Sequence, residues 1–232
     1  MLSEQADHQR AALSRRLGHE FTNVELLKVA LTHRSAGGGD NERLEFLGDS
    51  VLNMVIAHAL FEARPHAPEG DLSRLRASLV RERTLAEVAT ELELGPCLQM
   101  GQGERRSGGA RRASVQADAL EAVIGAVFQD AGFEAAAALV RRLFADRLND
   151  LPSADSLKDA KTRLQEYLQG RGRELPRYEI VSTSGVDHER HFVARCSLAD
   201  APQTADGEGS GRRRAEQAAA RAMLTQLESG HE

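Results

Sequence analysis

Cysteine is nearly missing from this chain, with only Cys97 and Cys196 among 232 residues. Two thiols so far apart, in segments of different pattern, exclude a disulfide framework and a cysteine-built zinc site, and both read as buried thiols. Unbroken apolar runs are missing too, since none approaches the roughly eighteen residues of a membrane span. The N-terminus lacks a basic-then-apolar leader. The expectation is a cytosolic protein without a membrane partner. Positive charge is in deficit, with a formal net charge of −5, and taken alone that argues against a polyanionic partner. Strand-like alternation is lacking up to about residue 150, where helical stretches are separated by Gly/Pro punctuation such as RPHAPEGD and LGPCLQMGQG.

What is present is concentrated acid. Asn41 to Leu52, NERLEFLGDSVL, carries Glu42, Glu45 and Asp49 at i, i+3 and i+7. That spacing stacks three carboxylates on one helix face, within roughly 60° of each other at about 100° per residue. Leu52, Ile56 and Leu60 continue the same stripe, so the acidic face runs into core. A solvated stripe would stay polar along the helix. Like charges set against a core call for a cation, and a hard divalent ion such as Mg²⁺ takes carboxylate oxygens while retaining water.

A second pair, Asp118 and Glu121 in SVQADALEAVIGAVF, repeats the i, i+3 spacing on another apolar helix. Facing acids on crossing helices build metal sites in carboxylate bundles. Gly48 and Gly125 lie inside these two helices, where each costs about 1 kcal/mol relative to alanine. Close approach of the two backbones would account for both.

Around residue 150 the pattern changes. Residues 1–150 form the helical part, residues 151–154 within NDLPSAD form a linker, and residues 155–228 form a smaller domain. In the smaller domain SLKDAKTRLQEYLQGRG reads as a helix. RYEIVSTS and RHFVARCSL read as strands, a shorter strand falls near Gln203 to Ala205, and RRRAEQAAARAMLTQLE reads as a closing alanine-rich helix. The expected fold is thus an all-α domain followed by a small α+β domain of order α-β-β-β-α. Charge is distributed unevenly: Lys158 to Arg177 holds six basic residues against three acidic, and Arg212, Arg213 and Arg214 open the last helix. Unpaired N–H groups there also favour phosphate, so the distribution outweighs the net sum.

NERLEFLGDSVL resembles the signature of the ribonuclease III family, and ALTHRS, EGDLSRLRASLV and ADALEAVIGAVF follow in the family's order. KTRLQEYLQ, GVDH and GEGSGRRRAEQAAA resemble the double-stranded RNA-binding domain. The resemblance implies an all-α nuclease domain followed by a double-stranded RNA-binding domain, acting as a homodimer on double-stranded RNA. It implies Mg²⁺ dependence, with Mn²⁺ able to substitute, and products with 5′-phosphate and 3′-hydroxyl ends. Ribosomal RNA precursors and other structured transcripts are the expected substrates. By position, Glu45, Asp49, Asp118 and Glu121 resemble the metal-binding catalytic set, with Asp49 and Glu121 named as catalytic. Glu42 and Glu69 resemble the accessory acids of the cleft. Gln165 and Glu166 resemble one minor-groove contact and His188 the next, with the Arg212 to Arg214 triplet over the intervening phosphates. Such a layout suits A-form duplexes, which are read by shape, 2′-hydroxyl and phosphate.

Phe46 resembles a dimer-interface residue, with a role in the monomer's core as the alternative. The glycine-rich basic stretch GQGERRSGGARR, just before the second acidic motif, is expected to help place RNA. Three departures from the family pattern stand out: Ala113 where glutamate is frequent, Val186 where proline is, and Gly211 where serine is. None touches a proposed ligand. A binder that does not cut, or a hydrolase of small phosphate compounds, are the readings from other classes. The full acidic set argues against the first and the RNA-binding module against the second.

Overall fold

The computed structural model describes residues 2–185 and 190–229. The chain divides into two compact units, Met1–Ala154 and Asp155–Glu232.

The first unit is helical: α1 (Leu2–Leu17), α2 (Val24–Ala30), α3 (Glu42–Ala63), α4 (Glu69–Leu79), α5 (Glu82–Glu91), α6 (Gln102–Arg106), α7 (Ala113–Leu143) and α8 (Ala145–Asn149). Its centre is the pairing of α3 with α7, against which α2, α4 and α5 pack. Val51, Leu52, Val55, Ile56 and Leu60 of α3 and Leu120, Val123, Ile124 and Val127 of α7 are buried. By length and composition both helices are apolar enough to cross a membrane. Their hydropathy is a helix average, in which interspersed glycine, serine and acid are tolerated, and it finds what a search for unbroken runs does not. The buried stripes of the pair belong to the core of this unit.

The two interior glycines sit at this crossing. A Cβ on Gly48 would lie 1.8 Å from the Glu121 carbonyl oxygen, and one on Gly125 would lie 2.2 Å from that of Leu44. The backbones touch, as the glycine pattern predicts, and the small loss of helix propensity is offset by tight packing.

α7 kinks at Gly132, whose φ is +81°. Just before the kink, Asp130 accepts hydrogen bonds from the backbone N–H groups of Asn23 (2.8 Å) and Thr22 (2.9 Å) and pairs with His19 Nε2 at 2.9 Å. Burial alone would raise its pKa, but the hydrogen bonds from Asn23, Thr22 and His19 outweigh it and hold the carboxyl below the usual range. The turn between α1 and α2 is thereby fastened to α7.

The second unit contains α9 (Ala154–Leu157), α10 (Ala160–Gln169), β1 (Arg177–Ser184), β2 (His191–Ser197), β3 (Thr204–Gly209) and α11 (Arg212–Ser229). The strands form an antiparallel sheet in the order β1-β2-β3, with a register shift between Ile180 and Ser182. The α-β-β-β-α order is as the alternation predicts, with a third strand longer than its sequence signal. The alanines of α11 have a packing reason: Cβ atoms on Gly207 and Gly209 would lie 2.0 Å from Ala219 N and 2.7 Å from Ala215 N. Glycine on the strand and alanine on the helix bring the two backbones together. Cys196 is buried here and Cys97 is buried in the first unit; both are free thiols.

Replacing Gly48 by alanine should separate α3 from α7. The gain of about 1 kcal/mol in helix propensity is exceeded by overpacking, for a net loss of about 1–3 kcal/mol. Thermal unfolding of Gly48→Ala checks this, and a variant as stable as the parent chain would show that the crossing is not tightly packed.

Candidate active site

The α3/α7 crossing brings acids from distant parts of the sequence together. Carboxylate oxygens of Glu45, Asp118 and Glu121 all lie within 4.8 Å of one another. Each is partly buried, and among the described residues none is paired with a cation. Burial raises the Glu121 pKa first, then the charges of Asp49, Glu45 and Asp118, to about 8. Glu45 is raised by burial and then by Asp118, Glu42 and Asp49, with Arg34 opposing. Asp118 is raised by burial and then by Glu82, with His33 and Arg34 opposing. Three converging carboxylates with elevated proton affinity form a site short of positive charge, and their hard oxygen donors fit a divalent cation of the Mg²⁺ or Mn²⁺ kind.

The remaining predicted acids take different places. Asp49 is exposed, one turn along α3, with Oδ1 accepting from Asn53 Nδ2 at 2.7 Å. It stands outside the close triad, although its charge is the largest acting on Glu121. Glu42 lies in the first turn of α3, 3.6 Å from Arg34. Glu69, in the first turn of α4, accepts from the Ser73 hydroxyl at 2.6 Å, and its charge is not among those raising the triad.

Beside the triad opens a cleft of about 560 Å³, lined by His33, Arg34, Glu42, Glu45, Glu104, Arg112, Ser114 and Asp118 among others. Its basic side was not singled out in the sequence, although His33 and Arg34 lie within the ALTHRS motif. Glu82 left no signal, because it reaches Asp118 from another helix. The stretch GQGERRSGGARR has more order than a glycine-rich loop suggests. It contains α6 and a short 3-10 turn at Gly109–Arg111, and Arg112 pairs with Glu104 at 2.8 Å.

In the second unit Gln165 and Glu166 are exposed on α10, and Glu166 is held by Lys158 at 2.6 Å. Arg212, Arg213 and Arg214 are exposed in the first turn of α11. His188 lies outside the described residues. Lys161 is turned inward, with Nζ 2.8 Å from Glu216 and 4.2 Å from the centre of the Tyr178 ring.

Phe46 resolves one alternative. It is 77 % exposed, so it is not part of the monomer's core. Met54 and Phe61, also exposed, fall on the same side of α3 at about 100° per residue.

The chain thus joins a helical unit with carboxylates gathered at a helix crossing to an α-β-β-β-α unit with arginines at a helix start. The comparisons with known proteins agree. The family described as Ribonuclease-III-like matches residues 23–148, and the Double-stranded RNA binding motif matches residues 160–227. The Ribonuclease 3 of Alkalilimnicola ehrlichii is 55 % identical over 221 residues, covering 95 % of this chain and 97 % of that protein. The Ribonuclease 3 of Dechloromonas aromatica is 51 % identical, covering 93 % and 97 %. A crystal structure of the Ribonuclease III nuclease domain from Campylobacter jejuni, 43 % identical, superposes with a TM-score of 0.59 over 61 % of this chain and 97 % of that one. The chain belongs to the ribonuclease III family, the endoribonucleases of double-stranded RNA.

The raised Glu121 pKa has a consequence for stability. A carboxyl whose folded value exceeds its unfolded one contributes stability that is complete at low pH and is lost as pH rises through the folded value, here about 8. In divalent-free buffer Glu121→Gln should therefore gain stability relative to the parent chain as pH rises from about 4.5 to about 8, and hold that gain above it. Chemical denaturation across that range checks this, and curves that stay parallel would contradict it.

Proposed function

We propose that this chain hydrolyses phosphodiester bonds of double-stranded RNA by a Mg²⁺-dependent mechanism, leaving 5′-phosphate and 3′-hydroxyl ends. Mn²⁺ serves in place of Mg²⁺. The enzyme works as a cytoplasmic homodimer on ribosomal RNA precursors and other structured transcripts. The convergence of Glu45, Asp118 and Glu121 within 4.8 Å is the observation that carries this reading.

Glu45, Asp49, Asp118 and Glu121 are the residues that would hold the metal, Asp49 joining the close triad from one turn along α3, with Asp49 and Glu121 as the catalytic pair. Divalent cations bound there supply an activated water and neutralise charge on the leaving oxygen. The chain's own part is to hold these carboxylates on a rigid crossing, so that no reorganisation is needed when the phosphate arrives. Glu42 lines the mouth of the cleft, 3.6 Å from Arg34. Glu69 is an accessory acid at a greater remove. No serine, cysteine or histidine nucleophile is required.

Duplex binding falls mainly to the second unit. Exposed Gln165 and Glu166 meet one minor groove and His188 the next, while Arg212, Arg213 and Arg214 lie over the phosphates between them. The inward turn of Lys161 leaves the phosphate contacts to the arginine triplet. Dimer formation uses the side of α3 that carries Phe46, Met54 and Phe61, an apolar stripe on an otherwise solvated face. A second Campylobacter jejuni nuclease-domain structure, 45 % identical with a TM-score of 0.57, is described as having a flexible region involved in dimer formation.

A long labelled RNA duplex should be cut in Mg²⁺ or Mn²⁺, bound but scarcely cut in Ca²⁺, and left intact in chelator, because the larger Ca²⁺ coordinates more loosely. Glu121→Gln should lower cleavage about a hundredfold or more, given that even outer-shell changes at metal sites cost about 10–100-fold, and retain duplex binding. Mapping the ends checks the chemistry. Robust cleavage in chelator would rule out the metal mechanism.

Ending the chain after Leu151 should leave cleavage intact at low salt and weaken it steeply as salt rises. Each lost phosphate contact removes counterion release worth about one unit of log–log salt slope. Undiminished activity of the shortened chain at about 0.15 M salt would contradict the binding role of the second unit.

A further inference from the structure

The cleft beside the triad has two arginines, and they are differently committed. Arg112 is engaged, 2.8 Å from Glu104 and 3.2 Å from the Ser107 hydroxyl. Arg34 is 73 % exposed at its side chain, makes one long ion pair of 3.6 Å with Glu42, and has no hydrogen bond among the described residues. Its charge nevertheless reaches both Glu45 and Asp118 through space.

The backbone that carries Arg34 is as restrained as its side chain is free. His33 N–H donates to Gln99 O at 2.8 Å, Gln99 N–H donates to Leu31 O at 2.8 Å, and Asn41 N–H donates to Thr32 O at 3.0 Å. Ser35 Oγ accepts from Gly101 N–H at 3.0 Å, while His33 Nδ1 accepts from Ser35 N–H at 3.2 Å. A Cβ on Gly101 would fall 2.3 Å from Ser35 O, so the two segments pack in direct contact. Ligation of an arginine on a fixed backbone costs side-chain freedom but no backbone freedom, and a planar fork of donors matches two non-bridging phosphate oxygens.

Of the two arginines in this cleft, Arg34 is the less committed to protein partners and the more available to a polyanion. We infer that Arg34 grips a backbone phosphate of the RNA strand adjacent to the phosphate that lies at Glu45, Asp118 and Glu121, and so sets the register of that strand in the cleft. This rests on the proposed reading of the triad as the reacting centre. Arg34 acts as a positioning residue: it contacts the substrate away from the reacting atoms and aligns them.

The test uses the full chain with Arg34→Gln and Arg34→Lys, and with Arg15→Gln, an exposed position of α1, as a control of equal charge change. kcat and KM are measured on a labelled RNA duplex in Mg²⁺, and the salt dependence of duplex binding is measured in Ca²⁺. Arg34→Gln should lower kcat/KM about 10–100-fold, the scale of a misplaced substrate, and reduce the log–log salt slope by about one unit. Arg34→Lys should restore the slope and only part of kcat, since a point charge lacks the fork. Arg15→Gln should change neither. An Arg34→Gln variant with unchanged kinetics and slope overturns the proposal, as does one that loses kcat at an unchanged slope. If the unaltered chain fails to cut in Mg²⁺, the reading of the triad has failed instead, and the salt slope still decides whether Arg34 meets phosphate.

Discussion

The contact on which the first unit depends is that of two backbones at Gly48 and Gly125. Any side chain there would collide with the carbonyl of the opposite helix, and the separation of α3 and α7 decides how far Glu45 stands from Asp118 and Glu121. The long apolar stripes of both helices supply the driving force for that packing. The acids, themselves only partly buried, are carried into proximity by the deeper burial of their apolar neighbours. Hydrophobic packing here does the work of bringing like charges together, against their mutual repulsion.

That repulsion is stored as proton affinity. In the absence of a cation, burial and three neighbouring carboxylates keep Glu121 predominantly protonated near neutral pH, since its pKa is about 8. The cleft wall supplies only partial relief, from His33 and Arg34 acting at a distance. Charge therefore remains in deficit at the triad while Glu42 and Glu104 have arginine partners within 4 Å. The contrast separates carboxylates that have a cationic partner from carboxylates that, among the described residues, have none.

Much of this was legible in the sequence for a simple reason. Glu42, Glu45 and Asp49 share one helix, and so do Asp118 and Glu121, so spacing along the chain translates directly into a shared face. The interior glycines announced the close crossing because they are otherwise unfavourable in helices. The division of roles within the acidic set was less legible. Asp49 shares a motif with Glu45 and Glu69 opens a motif of its own, yet Asp49 sits a turn away and Glu69 on another helix, and only the helix crossing decides which carboxylates meet. Glu82 and the His33–Arg34 wall escaped notice because their relation to Asp118 is purely tertiary. Lys161 shows the same limit from the other side: its place in a basic stretch gives no sign that Glu216 and the Tyr178 ring draw it inward.

The inward turn of Lys161 reaches further than the loss of one contact. Its backbone N–H also meets Gln217 at 3.2 Å, and its ammonium meets Glu216 at 2.8 Å, both one turn beyond the arginine triplet of α11. The start of α10 and the start of α11 are thus bolted together. The distance between the Gln165–Glu166 face and the arginines is held by contacts within the unit itself. If these residues meet duplex RNA as proposed, the unit would act as a gauge, matched to one groove and phosphate spacing whatever the bases inside.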